Sequence, residues 1–420
     1  MINLSYEILE SISKKYGDSF YILDEVLFEK NYWDMLNAFR KYYSNTHIAY
    51  SYKTNYTPSL CSIINKNGGY AEVVSEMEMW LALKLGVEPS NIYYNGPYKK
   101  KSDIEKLLLL GGHINCDSYY EVEIIKEIAK KYESNNFTVG LRCNLFIGGE
   151  TISRFGFDTE SGELYSVIDE INKLSNVKVI GLHSHLPYRT LESFEQRVQC
   201  VKTILNELGD YALEYISVGG GYMGKVNEDM AQEFAFTPPT YEQYAEIVAK
   251  EMNILFGEMS KKPKLIIEPG SALVANTMKY VTRVLNIKKI KGKSIASMTG
   301  STYCINPSVK NVKRPIQVYI DKEEVSFYEN LDMAGYTCIE ADYLYKGYCG
   351  KLSPGSFCVF DNVGSYSIVM KPPFILPEVA VLGFKDNKEL IEYKRAQAME
   401  EVYKLFYMTE ESVDADKRNS

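Results

Sequence analysis

The chain has 420 residues, 45% hydrophobic and 24% charged, with a formal net charge of −8 at pH 7. That composition can bury enough apolar area to offset chain entropy, which excludes a disordered or low-complexity protein, and the length exceeds one ordinary core, so two domains are expected. The acidic balance, with Lys and Arg scattered, argues against a nucleic-acid partner, and no apolar run is long enough to span a bilayer.

Phe20–Leu23 is strand-like and precedes the main body of the chain, so it is expected to return to a second domain. From about residue 46 to 268, short apolar runs alternate with amphipathic stretches, the pattern of βα units on a parallel sheet. Eight strands are predicted: His47–Tyr52, Tyr70–Val74, Asn91–Tyr94, His113–Cys116, Thr138–Cys143, Val177–His183, Tyr215–Val218 and Lys264–Ile267. Between them fall helices such as Pro58–Asn65, Met77–Leu85, Ser102–Leu110, Tyr119–Lys131, Leu191–Leu208 and Tyr241–Phe256. Eight repeats over this length predict an α/β fold, a (β/α)8 TIM-type barrel, with an open doubly wound sheet as the alternative. Lys99, Lys100 and Lys101 read as a solvated turn. Beyond residue 278 the chain is β-rich, as at Tyr280–Ile287, Ile316–Ile320, Ser356–Phe360 and Ser365–Met370, with one long helix over Asn387–Lys404. A mostly antiparallel, β-barrel-like second domain follows. The expected boundaries are 25–277 for the barrel, 1–24 with 278–409 for the β domain, and a loose tail at 410–420.

The eight cysteines include no CxxC pair and no Cys/His cluster with ligand spacing, so they read as reduced thiols with no metal site. The first residues carry no basic segment leading into an apolar core, and a cytoplasmic location is expected.

Barrel enzymes place chemistry where strands end, and the residues closing these runs are polar. They are Lys53, Ser75, Asn95, Asp117, Arg142 with Asn144, His183 with His185, the triplet Gly219, Gly220 and Gly221, and Glu268. Any single one has a bland explanation: a lysine after an apolar strand usually snorkels, and a glycine triplet is usually a turn. Eight in phase call for one ligand site. Glycines after a strand let backbone N–H groups approach a phosphate, and a lysine amine with a carboxylate completes the needs of pyridoxal phosphate. The GxxxxGK[ST] and GxGxxG patterns are absent, which argues against NTP and dinucleotide sites.

At these residues the chain resembles the fold-type III pyridoxal-phosphate decarboxylases, the group containing diaminopimelate and ornithine decarboxylases. The resemblance is carried by Tyr52–Lys53–Thr54–Asn55, Val73–Val74–Ser75–Glu76, Asn95–Gly96–Pro97 and Ser153–Arg154–Phe155–Gly156. It continues through His183–Ser184–His185, Val218–Gly219–Gly220–Gly221, Glu268–Pro269–Gly270, Thr337–Cys338 with Asp342, and Val363–Gly364–Ser365–Tyr366. The resemblance implies that Lys53 carries pyridoxal 5′-phosphate as a Schiff base, that His185 stacks on its ring, and that the glycine triplet holds its phosphate. It implies Glu268 at the pyridine nitrogen, with Arg142 also on the cofactor. Cys338 matches a cysteine that the partner subunit contributes to protonate the product carbanion, and Tyr366 a tyrosine reaching the cofactor. Arg154 and Asp342 match a pair bridging two subunits, so the family pattern implies a homodimer with shared active sites. A carboxylate at Glu268 keeps the ring nitrogen protonated and the electron sink strong, which suits decarboxylation; related racemases place an arginine there. The alternatives are a racemase on the same fold and a catalytically silent regulatory homologue.

The chain also departs from the pattern. Ser271 and Asn306 stand where arginines are usual, Ile339 follows Cys338 where an acidic residue is usual, and Leu186–Pro187–Tyr188 replaces a Gly–Ser that touches phosphate. Thr299, Gly300 and Ser301 replace an Asp-rich turn. These changes remove charged contacts to a substrate's far end, leaving Tyr303, Ile339 and Glu340 as expected substrate neighbours and Arg189 or Lys310 as possible replacement cations. The expected substrate is an amino acid with an altered, conjugated or carrier-linked side chain.

Overall fold

The computed structural model describes residues 3–148, 152–307, 312–321, 325–371, 373–385 and 389–406. The chain divides into two compact units, Glu25–Asn276 and the combination of Met1–Asp24 with Thr277–Ser420. Lys310 and the 410–420 tail lie outside the described residues.

The first unit is a closed barrel of eight parallel strands. They are β1 (Thr46–Ser51), β2 (Tyr70–Val73), β3 (Ile92–Tyr94), β4 (His113–Cys116), β5 (Phe137–Asn144), β6 (Val177–His183), β7 (Tyr215–Ser217) and β8 (Lys264–Ile267). Each pairs with its chain neighbours, and Leu265↔Thr46 closes β8 on β1. The open-sheet alternative is thereby excluded. Inside the barrel, Ala49, Tyr70, Tyr93, Ile180, Tyr215 and Ile266 pack as one buried cluster. The Tyr215 ring occupies space that only a glycine at 181 leaves, since a Cβ there would lie 1.9 Å from Tyr215 Cζ. The outer helices begin on side-chain caps: Ser75 accepts from Glu78 N–H, Thr190 from Ser193 N–H, and Thr240 forms a capping box with Gln243. The caps fix where each helix starts, and so how the loop before it leaves its strand.

The second unit is a curled, mostly antiparallel nine-stranded sheet. Phe20–Leu23 joins it as expected, antiparallel to Met278–Val281 and parallel to Val381–Gly383. Leu9, Phe20, Ile22, Val281, Phe357, Val359 and Leu382 form its core. Two stretches differ from expectation. Within the long helix expected over 387–404, Glu389–Lys394 is a strand paired antiparallel to Val381–Lys385, and among the described residues of that range only Met399–Tyr403 is helical. An available strand edge overrides weak helical periodicity there. Ser365–Met370 is a chain of turns rather than a strand, with φ +64° at Tyr366 and Met370 N–H donating to the Tyr366 carbonyl at 3.0 Å.

The lysine run is not uniformly solvated either. Lys99 is buried, donating to both Glu121 carboxylate oxygens at 3.0 and 2.9 Å and to the Gly96 carbonyl at 2.7 Å. No helix among the described residues is long and apolar enough to cross a membrane.

Candidate active site

The C-terminal ends of the barrel strands converge on one polar network. β1 ends in a single 3-10 turn, Tyr52–Thr54, which presents Lys53. The Lys53 ammonium pairs with Glu72 Oε2, from β2. The other Glu72 oxygen accepts from Asn95 Nδ2 at 3.2 Å, just past β3, and that amide also donates to Glu268 Oε1 at 3.2 Å. Asn115 of β4 donates to Asn95 Oδ1 at 2.7 Å, and its own oxygen accepts from Tyr215 OH at 2.6 Å. Side chains from β1, β2, β3, β4, β7 and β8 are thus tied together across the barrel mouth.

Glu268, immediately after β8, is 3% exposed. Ser217 Oγ donates to its Oε1 at 2.7 Å, and His183 Nε2 lies 3.1 Å from its Oε2. Burial pushes this carboxyl upward, but His183, the Lys53 charge and the Ser217 hydrogen bond together hold it below the ordinary carboxylate range. It is an ionised carboxylate at neutral pH. His185, half-buried at the same end of the barrel, stays neutral, its pKa driven well below the usual 6.5 by desolvation and by the charges of Arg197, Lys53 and Arg142. Its Nδ1 accepts from Gly220 N–H at 3.0 Å, which fixes the ring against the glycine loop. Arg142, closing β5, donates to Asp117 Oδ1 at 3.1 Å, with its guanidinium 4.4 Å from the Phe155 ring centroid.

The triplet after β7 must be glycine. A Cβ at Gly219, where φ is +69°, would lie 2.3 Å from the Ser184 carbonyl oxygen, and one at Gly220 would lie 2.5 Å from the Glu268 carbonyl oxygen. A ligand with a phosphate, a ring nitrogen and a carbonyl matches this set: a backbone cradle, a buried ionised carboxylate and a lysine amine. In the sequence Lys53, Arg142, His185, Gly219, Gly220, Gly221 and Glu268 are spread over more than 200 positions, and the barrel collects them at one end. Sequence reasoning passes over Glu72, Asn115, Ser217 and Arg197. A carboxylate inside the buried strand β2 was the available signal for Glu72; Arg197 sits mid-helix and carries none.

The remaining candidates lie elsewhere. In the second unit Cys338 is exposed, as are Ile339 and Glu340, between strands Ser326–Ala334 and Tyr343–Leu352. Asp342 is buried and accepts from Ser301 Oγ at 3.0 Å, Thr302 N–H at 2.8 Å and Thr337 Oγ1 at 2.7 Å. Tyr303 is half-buried, its ring 6.1 Å from that of Phe374. In the barrel unit the Arg154 guanidinium stacks on Phe155 at 4.3 Å.

Residues 30–275 match the family described as pyridoxal-dependent decarboxylase, pyridoxal binding domain. The chain is 25% identical over 382 residues to diaminopimelate decarboxylase of Archaeoglobus fulgidus, covering 86% of each protein. It is 26% identical over 390 residues to that of Methanocaldococcus jannaschii, covering 87% of this chain and 85% of the relative. The crystal structure of the M. jannaschii diaminopimelate decarboxylase in complex with L-lysine superposes with a TM-score of 0.84 at 22% identity, covering 95% and 94% of the two chains.

Proposed function

Since this chain belongs to the pyridoxal-dependent decarboxylases, we propose that Lys53 attaches the cofactor and that Glu268 sets the direction of its chemistry. The protein is a pyridoxal-phosphate-dependent carboxy-lyase acting on an amino acid. When bound, pyridoxal phosphate supplies a conjugated ring that accepts the electron pair left at the α-carbon as carbon dioxide departs.

The chain's own residues prepare that step. Glu72 orients the Lys53 ammonium and accepts its proton when the amine becomes a nucleophile. The glycine triplet would hold the phosphate, and the neutral His185 ring, fixed by Gly220 N–H, would support the cofactor's ring. The single observation carrying the decarboxylase reading is the Glu268 carboxylate, buried and kept ionised by His183, Ser217 and Lys53. An anion there would hold a proton on the ring nitrogen and so strengthen electron withdrawal, whereas a racemase gains from a weaker sink. Intact Lys53 and the triplet speak against a silent homologue.

The substrate differs from that of the similar decarboxylases at its far end, because Ser271, Asn306 and Ile339 offer no charge to a second carboxylate or a distal ammonium. A homodimer supplies Cys338 and Tyr366 to the neighbouring site, with the exposed Arg154 at the contact, whereas Asp342 is buried with both carboxylate oxygens engaged inside its own unit.

Two measurements on the purified holoenzyme test this. Borohydride reduction and peptide mass analysis should place the pyridoxyl adduct on Lys53; an adduct on another lysine defeats the assignment. A carbon dioxide release screen over free and conjugated amino acids should rank meso-diaminopimelate and ornithine low. Turnover of meso-diaminopimelate with kcat/KM of about 10⁴ M⁻¹s⁻¹ or more would overturn the altered specificity.

A further inference from the structure

Arg197 lies in the second turn of the helix Leu191–Leu208 and is fully buried. Its Nη1 donates to the carbonyls of Val218 at 2.7 Å and Gly220 at 2.9 Å, and its Nη2 to those of Leu186 at 3.1 Å and Tyr188 at 3.5 Å. One side chain therefore ties the glycine loop to the loop after β6. Its guanidinium stacks on the Phe194 ring at 4.1 Å, and its Nη2 would lie 3.7 Å from a Cβ placed on Gly221. It sits directly behind the triplet.

Two features make this more than a clamp. Among the described residues no carboxylate pairs with Arg197, and its Nε has no hydrogen-bond partner. A guanidinium taken out of water without a counter-ion is unfavourable, and burial lowers its pKa to about 10, which leaves it charged at neutral pH. Two of the triplet's three amide donors are already engaged within the protein. Gly219 N–H donates to Ser217 Oγ at 3.2 Å, Gly220 N–H donates to His185 Nδ1, and Pro187 has no N–H. With those two amides engaged, a buried positive charge directly behind the loop adds to the hold on an anion there.

We propose that Arg197 is a positioning residue whose buried charge serves as the counter-ion, through the glycine loop, of the phosphate on the cofactor. The proposal rests on reading Gly219–Gly221 as the phosphate cradle, and the test separates the two ideas. Apoprotein is titrated with pyridoxal phosphate and with pyridoxal, which lacks the phosphate, and the visible absorbance of the lysine-bound chromophore gives each Kd at one fixed ionic strength. The wild type should bind the phosphate form far more tightly. In Arg197→Met and in Arg197→Gln, which keeps hydrogen bonding but drops the charge, that preference should fall by about 10-fold or more, the size of one lost charged interaction. Arg197→Lys should retain most of it. Inorganic phosphate should raise the Tm of wild-type apoprotein and leave that of Arg197→Gln unchanged. A wild type without preference removes the cradle reading itself. A wild type with preference, whose neutral variants lose both ligands equally or do not fold at all, makes Arg197 a structural clamp and overturns the proposal.

Discussion

At the scale of single residues, the site turns on a carboxylate that burial alone would neutralise. Glu268 stays ionised because three groups from β1, β6 and β7 or their ends, Lys53, His183 and Ser217, act on it together. Glu268→Gln keeps the shape and the hydrogen-bonding capacity while removing the charge. It should lower kcat by about 100-fold or more and also lower Tm, because the ion pairing that depresses the carboxyl is lost, as read by steady-state kinetics and thermal melts. Glu268→Ala instead leaves Ser217, His183 and Asn95 facing a hole and should cost about 2–4 kcal/mol in urea unfolding. The sign with pH also follows. Because the folded carboxyl titrates below its ordinary value of 4.5, its stabilisation is complete above that pH and is lost only as the solution becomes more acidic.

Among the elements, the barrel strands carry a second titratable layer at the ends opposite the site. His47 of β1 stacks on Tyr70 of β2 at 4.8 Å, and His113 of β4 stacks on Tyr93 of β3 at 4.4 Å. Burial, joined for His47 by the charges of Arg40 and Lys264 and for His113 by that of Lys264, lowers both rings to about 4 from 6.5. The unfolded chain takes up these protons near pH 6.5 and the folded barrel does not, so their contribution is full above 6.5 and is lost as pH falls toward 4. Each ring steepens that loss by at most about 1.4 kcal/mol per pH unit, less where water screens it. Urea midpoints at pH 7.5, 6 and 5 should fall less in a His47→Gln, His113→Gln double variant than in wild type. Parallel curves would show that these rings do not set the acid limit.

For the whole molecule, the two units divide the proposed chemistry: Lys53 and Glu268 belong to the barrel, Cys338 and Tyr366 to the β unit. Tyr366 holds a positive φ that a non-glycine residue adopts only under constraint, a kind of strain often found where a side chain has a task. If the active site is built across a homodimer, mixing inactive Lys53→Ala and Cys338→Ala chains should restore up to about a quarter of wild-type activity, because half the dimers are mixed and each has one intact site. No recovery, with subunit exchange verified by mass spectrometry, would put the complete site in one chain.

The sequence by itself determined the barrel, the strands and the residues closing them. Periodicity marks strands and helices locally, and a strand followed by Lys53, a glycine triplet or Glu268 is legible without knowing any distant contact. It also made the phosphate-and-lysine chemistry readable, because those residue types have few other reasons to occur in phase. Only the tertiary structure decided the rest. Lys53, Glu72, Asn95, Asn115 and Glu268 form one network through pairings 19 to 173 positions apart. Lys99 looks solvated within its run until Glu121 arrives to bury it. Glu389–Lys394 reads as helix until the edge at Val381–Lys385 supplies its hydrogen bonds. Arg197 looks like any mid-helix cation until four carbonyls of two loops close around it. In each case the deciding energy is the desolvation of a polar group, which depends on what the fold brings near it and not on its neighbours along the chain.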